Sequence, residues 1–198
     1  MVNGRWPRGT NASFICLIPK NDNPQHLSEY RPISLVGCVY KIVSKILSIR
    51  LKKVISKVID IRQSAFLEGR GILDSIMVAN EVIEKMKRKK KSCVCFKVDY
   101  ENAYDCVRWD FIYYMLGRLD FCKKWISWIK ACLELASMSV LVNGSPTKEF
   151  IPKKGLRQGD PLSPFLFLIV AEGLAGVSRI AVEKELVEGL ESAKSRLR

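Results

Sequence analysis

Two short stretches of this 198-residue chain hold side chains suited to chemistry. In the first, Val94, Phe96 and Val98 alternate with Cys95, Lys97 and Asp99. That period of two predicts a half-buried strand ending in the Asp99 carboxylate. A carboxylate at a strand end suits a hard cation such as Mg²⁺, which takes oxygen ligands and keeps waters and substrate phosphates around it. The same position also suits a turn former or a helix cap. The second stretch is Gly155-Leu156-Arg157-Gln158-Gly159-Asp160-Pro161-Leu162-Ser163-Pro164. Its two glycines let backbone approach a ligand closely. Arg157 and Gln158 offer donors to a phosphate or a base, and Pro161 and Ser163 launch a helix. A plain loop with an N-cap fits these residues as well.

The elements that must position these residues follow from periodicity and turn chemistry. Phe14 to Ile18 is an apolar run closed by Pro19 and reads as a strand; Asn21 to Pro24 is a loop. Tyr30 to Leu35 is extended, because Arg31 precedes a proline and is pushed out of the helical region. Tyr40 to about Ile59 reads as a helix, with Ile42, Val43, Ile46, Leu47, Val54, Ile55 and Val58 at three- and four-residue intervals. A second helix runs from about Ile72 to Lys89, with Ile76, Val82, Ile83 and Met86 inward. Trp109 to Arg118 and Cys122 to Ser137 read as helices, with Trp109, Trp125 and Trp128 in the core. Ser139 to Val142, Asn143-Gly144 and Glu149 to Ile151 read as a hairpin, since Asn-Gly is a strong two-residue turn signal. Leu166 to about Glu188 is a largely apolar helix, with Phe167, like the preceding Phe165, in the core. Helices and strands interleave irregularly, so the fold class is α+β rather than a regular βαβ array.

Composition narrows the function. Hydrophobic residues make up 48% and charged residues 27%, a globular balance with enough apolar material for a core. Lys and Arg exceed Asp and Glu by 33 − 20 = 13. On a folded chain that excess points to a polyanionic partner, most often nucleic acid. The longest clean apolar run, Phe165 to Ala171, stops at Glu172 and is shorter than the ~20 residues that cross a bilayer, so no membrane is expected. The N-terminal residues lack the apolar core of a secretory signal, so the expected location is intracellular, nuclear or cytoplasmic, and Asn11-Ala12-Ser13 is no glycosylation site. Seven scattered cysteines, no Cys-x-x-Cys and a single histidine, His26, argue against structural zinc. The run Lys85 to Lys91 reads as a solvated helix end, a nucleic-acid backbone contact or an import signal.

Together these motifs resemble the reverse transcriptase family. Residues Phe96 to Asp105, FKVDYENAYD, are similar to its first palm motif. Gly155 to Phe165, GLRQGDPLSPF, is similar to the second palm motif of non-long-terminal-repeat retrotransposons, with wording closest to the long interspersed elements of plants. Leu17-Ile18-Pro19-Lys20, Arg31-Pro32-Ile33-Ser34-Leu35 and Gln63-Ser64-Ala65-Phe66, followed by Gly69-Arg70 and Asp74, are similar to its fingers motifs. The resemblance implies the fingers and part of the palm of a right-hand polymerase. Fingers would span about 11–92 and partial palm about 93–190, between tails at 1–10 and 191–198. It implies that Asp99, helped by the carbonyl of Tyr100, holds Mg²⁺ ions for nucleotidyl transfer to a primer 3′-hydroxyl. Arg31 and Lys20 would grip the triphosphate, a task suited to a guanidinium. Tyr104 would sit under the sugar and exclude a 2′-hydroxyl, although a core tyrosine fits that position too. Gln158 and Gly159 would pack on the incoming nucleotide and template base. Arg70 and Arg157 would contact template or primer, or Arg157 would instead pair with Asp160. The implied partners are an RNA template, a DNA primer and deoxynucleoside triphosphates.

The sequence also departs from the family pattern. No Asp-Asp pair occurs, although the family's third palm motif supplies metal-binding carboxylates from one, and Asn102 stands where these elements usually carry Lys. Asp105 and Asp110 lie beyond the motif position. No thumb is expected in these residues. The expectation is therefore a truncated retrotransposon fragment with little polymerase activity of its own. The alternatives are a basic nucleic-acid-binding remnant without chemistry and a pseudogene product with marginal folding.

Overall fold

The computed structural model describes residues 9–67, 69–95, 98, 100 and 102–187. In chain order the elements are β1 (Ala12–Pro19), a 3₁₀ turn (Leu27–Glu29), β2 (Tyr30–Val36), α1 (Cys38–Val58), α2 (Ile72–Arg88), α3 (Trp109–Arg118), α4 (Lys123–Glu134), β3 (Ser137–Val142), β4 (Ser145–Pro146) and α5 (Ser163–Glu183). The mixed α/β content matches the expected class. The described residues form two compact units, one within Met1–Lys53 and Asn102–Val170, the other within Val54–Glu101 and Ala171–Arg198.

The first unit holds a four-stranded sheet in the order β2-β1-β3-β4. Strand β1 pairs antiparallel with β2, from Ser13 opposite Val36 to Pro19 opposite Tyr30, and parallel with β3. The expected hairpin is present. Asn143 and Gly144 both have positive φ, 51° and 79°, the backbone of a tight primed turn. Its return strand is interrupted, however. The Thr147 amide donates to the Val140 carbonyl at 2.9 Å, but the amide of Val140 donates to Thr147 Oγ1 at 3.0 Å instead of to a main-chain carbonyl. Pairing resumes only at Phe150, which bridges Met138. Buried Ile112, Leu116, Ile129, Cys132, Leu162, Leu166, Leu168 and Ile169 make the core of this unit. Trp109, Trp125, Trp128, Phe165 and Phe167 are half-buried rather than core. The tryptophan indole is wide and carries a polar N–H, and is seldom fully enclosed.

Helix α1 has the expected period and an unexpected phase. Its buried stripe is Tyr40, Ser44, Leu47, Ser48, Leu51, Ile55 and Ile59, while Ile42, Ile46 and Val54 are exposed. Apolar periodicity missed the two serines, whose hydroxyls donate to the carbonyls of Lys41 and Lys45 and so enter the buried face satisfied. Of the expected inward residues of α2, only Met86 is buried. Helix α5 carries a stretch of mean hydropathy 1.9 and by length and composition alone is long enough to cross a membrane. Run length understated it, because Glu172 and Arg179 interrupt the run yet lie seven residues apart on one face and pair at 2.7 Å.

The expected strand over 94–98 does not form among the described residues. Residues 91–95 and 98 have no regular structure, and Val94 is 94% exposed. Alternation marks a strand only where a neighbouring chain takes its N–H and C=O groups, and no such pairing is made by these residues. Phe96, Lys97 and Asp99 lie outside the described residues.

The lysine run is a helix end, the first of its three readings. Lys85, Lys87 and Arg88 occupy the last turn of α2, where cations suit the helix dipole. The helix then closes with the amide of Lys91 donating to the Met86 carbonyl and that of Lys90 to Lys87. Lys90 has φ +52°, a left-handed conformation that glycine adopts without steric cost. Lys90→Gly is expected to stabilise the chain by about 0.5 kcal/mol, read as a rise in urea midpoint without a change in slope.

Candidate active site

The loop between β4 and α5 tightens into a turn over residues 157–160, where the Asp160 amide donates to the Arg157 carbonyl at 3.3 Å. Both ends of the turn are buried, Arg157 and Asp160 each at 5% exposure. Between them Gln158 is half-buried and Gly159 exposed. Gly159 has φ +99°, and a Cβ there would lie 3.3 Å from the Ser34 carbonyl. The Asp160 carboxylate accepts from the Tyr40 hydroxyl at 2.5 Å and from the Leu162 amide at 2.9 Å. Burial first, and the Asp160 carboxylate second, push the Tyr40 hydroxyl well above its ordinary pKa, so it stays protonated and donates.

Main-chain hydrogen bonds clasp three motif segments together. The Ser34 amide of β2 donates to the Gln158 carbonyl at 2.9 Å. The Leu156 amide donates to the Tyr104 carbonyl at 2.8 Å, and the Gly155 amide to the Val107 carbonyl at 2.7 Å. The Trp109 indole N–H donates to the Gly155 carbonyl at 2.7 Å. The Tyr104 ring is half-buried, 5.4 Å from the ring of Phe167, and burial raises its hydroxyl pKa. These bonds join the segments that carry Tyr104, Gln158 and Gly159.

The cations stand at one end of the β1–β2 ladder. Arg31 pairs with Ile18, two residues before Lys20, and the Lys20 amide donates to the Glu29 carbonyl at 2.8 Å. Lys20 Nζ donates to the Ser28 carbonyl at 2.8 Å, and its charge reaches Asp105. Burial raises the Asp105 carboxyl above its ordinary pKa and Lys20 offsets part of that rise. Arg31 and the side chain of Gln158 are exposed or half-exposed and have no hydrogen-bond partner among the described residues. Asp110 turns away and pairs with Arg108 in the first turn of α3.

Tyr100 is exposed, and Asp99, the expected metal ligand beside it, lies outside the described residues. Among the described residues no three His, Cys, Asp or Glu side chains gather as a metal site. A two-ion magnesium centre needs several anionic ligands, and the described residues do not gather them.

Two residues expected to contact nucleic acid, Arg157 and Arg70, have partners within the chain. Arg157 is interior: Nη2 donates to the Cys132 carbonyl at 2.7 Å, Nε lies 4.0 Å from Asp160, and the guanidinium lies over the Tyr40 ring, 4.0 Å from its centroid. Its charge is spent inside the unit, in the Asp160 pairing that the sequence left open. Arg70 braces the end of α1. Its Nη1 donates to the carbonyls of Asp60 and Gln63, both at 2.7 Å, and Nη2 to that of Ser56 at 3.0 Å. Helix ends leave carbonyls without intrahelical partners, and a guanidinium fork supplies them. Sequence reading gave no role at the site to Tyr40 and Cys132 and placed Trp109 in the core. Tyr40 and Asp160 stand 120 positions apart, so no local pattern joins them. The Cys132 thiol, pushed up to about 12 by burial and then by Asp160, is a packing group.

In the second unit Arg179 donates to Asp60 and Glu172, both at 2.7 Å, and the Asp60 amide donates to Glu172 at 3.0 Å. Burial pushes the Asp60 carboxyl up, but hydrogen bonds from the Arg62 amide and Arg179 outweigh it and hold its pKa below the ordinary value. A folded pKa below the unfolded value of about 3.9 means the unfolded chain binds more protons in acid. The stabilisation is therefore complete above about pH 5 and is lost as pH falls through the folded pKa. Melting temperatures measured from pH 6 down to 2 are expected to fall less steeply for Asp60→Asn.

A mixed α/β domain with these three loops joined is the class the motifs implied, and comparison with known proteins gives its family. The family model described as "Reverse transcriptase (RNA-dependent DNA polymerase)" matches residues 18–182. The chain belongs to the reverse transcriptase family. It is 30% identical over 169 residues to the "Transposon TX1 uncharacterized 149 kDa protein" of Xenopus laevis, covering 85% of this chain and 13% of that protein. It is 29% identical over 171 residues to the "Retrovirus-related Pol polyprotein from type-2 retrotransposable element R2DM" of Drosophila melanogaster, covering 86% of this chain and 16% of that one. The "RNA-directed DNA polymerase from mobile element jockey", also of Drosophila melanogaster, is 27% identical over 175 residues, 86% of this chain and 19% of that protein. The chain thus spans under a fifth of each of these relatives. It is a reverse transcriptase domain of the non-long-terminal-repeat retrotransposon type.

Proposed function

We propose that this chain is the nucleotide-handling part of an RNA-directed DNA polymerase, comprising fingers (about 11–92) and partial palm (about 93–190). The reading is supported above all by the clasp of Ser34, Gln158, Leu156 and Tyr104, which gathers three separate motifs around one exposed glycine turn. Arg31 and Lys20 supply positive charge for a triphosphate. Tyr104, held at its carbonyl and against Phe167, presents a ring to the sugar, and Gln158 and Gly159 face the base. The family depends on divalent metal; Asp99 and the Tyr100 carbonyl are the positions for Mg²⁺, which would activate the primer hydroxyl and offset charge on the leaving pyrophosphate. An RNA template and DNA primer are the partners, drawn to the net charge of +13.

The 198 residues contain no Asp-Asp pair, and one motif carboxylate cannot balance two divalent ions. The proposal is therefore that the chain by itself binds deoxynucleotide without extending a primer. Incubation with a poly(rA)·oligo(dT) primer-template, thymidine triphosphate and Mg²⁺ is expected to leave the primer unextended. Extension that disappears in Asp99→Ala would show a complete polymerase and refute this part of the reading.

A further inference from the structure

Tyr40 touches both ends of the 157–160 turn. Its ring lies under the Arg157 guanidinium at 4.0 Å, and its hydroxyl donates to Asp160 at 2.5 Å. It is fully buried, as are both ends of the turn, whereas the two residues at the tip reach solvent. Asp160 is fixed a second time by the Leu162 amide, and Arg157 by the Cys132 carbonyl, which also accepts from the Asn11 side chain at 3.0 Å. Four segments therefore converge on the base of a turn whose tip makes one tertiary main-chain bond, from Ser34 to Gln158. We propose that Tyr40 and Asp160 are positioning residues for nucleotide binding: a buried hydroxyl–carboxylate clamp that sets the direction in which Gln158 and Gly159 present themselves to a deoxynucleoside triphosphate. This rests on the nucleotide-handling reading above.

The chemistry favours a clamp over a merely stabilising contact. A hydroxyl bonded to a buried carboxylate is short and directional, and in a low dielectric it tolerates little displacement. Gly159 is already confined by its positive φ and by the Ser34 carbonyl. Removing the Tyr40 hydroxyl leaves the ring on Arg157 but leaves Asp160 held only by the Leu162 amide and the Arg157 charge.

The test is titration of the full chain with a fluorescent mant-labelled deoxyadenosine triphosphate in Mg²⁺ buffer, well below the melting temperature, with amide hydrogen exchange read at residues 158 and 159. Tyr40→Phe is expected to weaken binding about tenfold and to speed exchange at the tip. Asp160→Asn keeps one acceptor oxygen for the Leu162 amide and an NH₂ that can donate to the Tyr40 hydroxyl oxygen, so it is expected to retain more affinity than Asp160→Ala. Ile112→Val, a core change in α3, controls for lost stability and is expected to lower the melting temperature with affinity unchanged. If Tyr40→Phe does not fold, Asp160→Asn compared with Asp160→Ala carries the same test. Binding by wild type with equal affinity in Tyr40→Phe, or equal losses in Asp160→Asn and Asp160→Ala, overturns the clamp and leaves the nucleotide reading intact. Absence of binding by wild type itself overturns the nucleotide reading, and the clamp with it.

Discussion

Gly155→Ala is expected to destabilise the chain by about 2–4 kcal/mol and to lower its melting temperature by roughly 5–15 °C. Two independent effects combine. Gly155 has φ +91°, a backbone conformation that an L side chain adopts only under strain. A Cβ there would also meet the Asp105 carbonyl at 3.1 Å, a main-chain atom that cannot swing away. The neighbouring bonds leave no slack. The Gly155 amide donates to Val107, its carbonyl accepts from Trp109, and the Leu156 amide donates to Tyr104. Relief of the contact must stretch the seam between the Tyr104–Asp105 turn and the glycine loop. Gly144→Ala is the comparison: its φ of +79° is similarly strained, but nothing lies within 4 Å of the added carbon. It is expected to cost only the conformational part, about 1–2 kcal/mol. Equal losses in the two variants, measured by urea unfolding, would show that the close approach to Asp105 has no energetic weight.

That seam shows what a sequence can and cannot reveal. The role of the glycine loop came only from the resemblance; as a loop it was legible, because two glycines ahead of a proline-started helix break regular structure, and both glycines do adopt positive φ. The Asn-Gly turn was legible for the same reason: its chemistry is contained within two residues. Helices over α1 to α4 were legible in extent, because their apolar spacing is local. What escaped was everything decided by a distant partner. The phase of α1 depends on Ser44 and Ser48 finding carbonyls one turn back, which makes polar residues acceptable in a buried stripe. The stretch 94–98 has the right alternation, yet its described residues 94, 95 and 98 pair with no neighbouring strand. Arg157 sits in a motif that faces nucleic acid by resemblance, yet Tyr40, Cys132 and Asp160 together take its charge inward.

One physical distinction separates the basic residues of this chain. A cation whose donors are already spent on carbonyls contributes to folding, and one whose donors are free is available to a polyanion. Arg31 belongs to the second kind and Arg70, with its fork on three carbonyls, to the first; Arg157 is withheld from a polyanion by burial, with Nη2 on the Cys132 carbonyl and Nη1 unbonded among the described residues. A net charge of +13 therefore overstates the surface available for phosphate, since charge counted along a chain takes no account of what each guanidinium already holds. Salt-dependent binding measures only the free kind.

Arg70 is where this distinction is most sharply tested. As a template contact it would matter for binding and little for stability; as a helix brace it does the reverse. Its fork closes on the Ser56 carbonyl within α1 and on those of Asp60 and Gln63 just beyond the helix end. Hydrogen bonds from a charged donor are worth about 1.5–3 kcal/mol each. Arg70 is half-buried, and water replaces part of that, so Arg70→Ala is expected to cost about 2–4 kcal/mol in unfolding free energy. Arg70→Lys keeps the charge but replaces a planar fork by a single ammonium that cannot reach three carbonyls at once, and is expected to recover less than half of the loss. In contrast, the slope of RNA affinity against salt, measured on a single-stranded oligonucleotide at a temperature where every variant is folded, is expected to be unchanged in Arg70→Ala. In Arg31→Ala that slope is expected to drop by about one charge, with little effect on melting. A lower slope in Arg70→Ala with the unfolding free energy intact would return Arg70 to the nucleic-acid surface and remove it from the end of the helix.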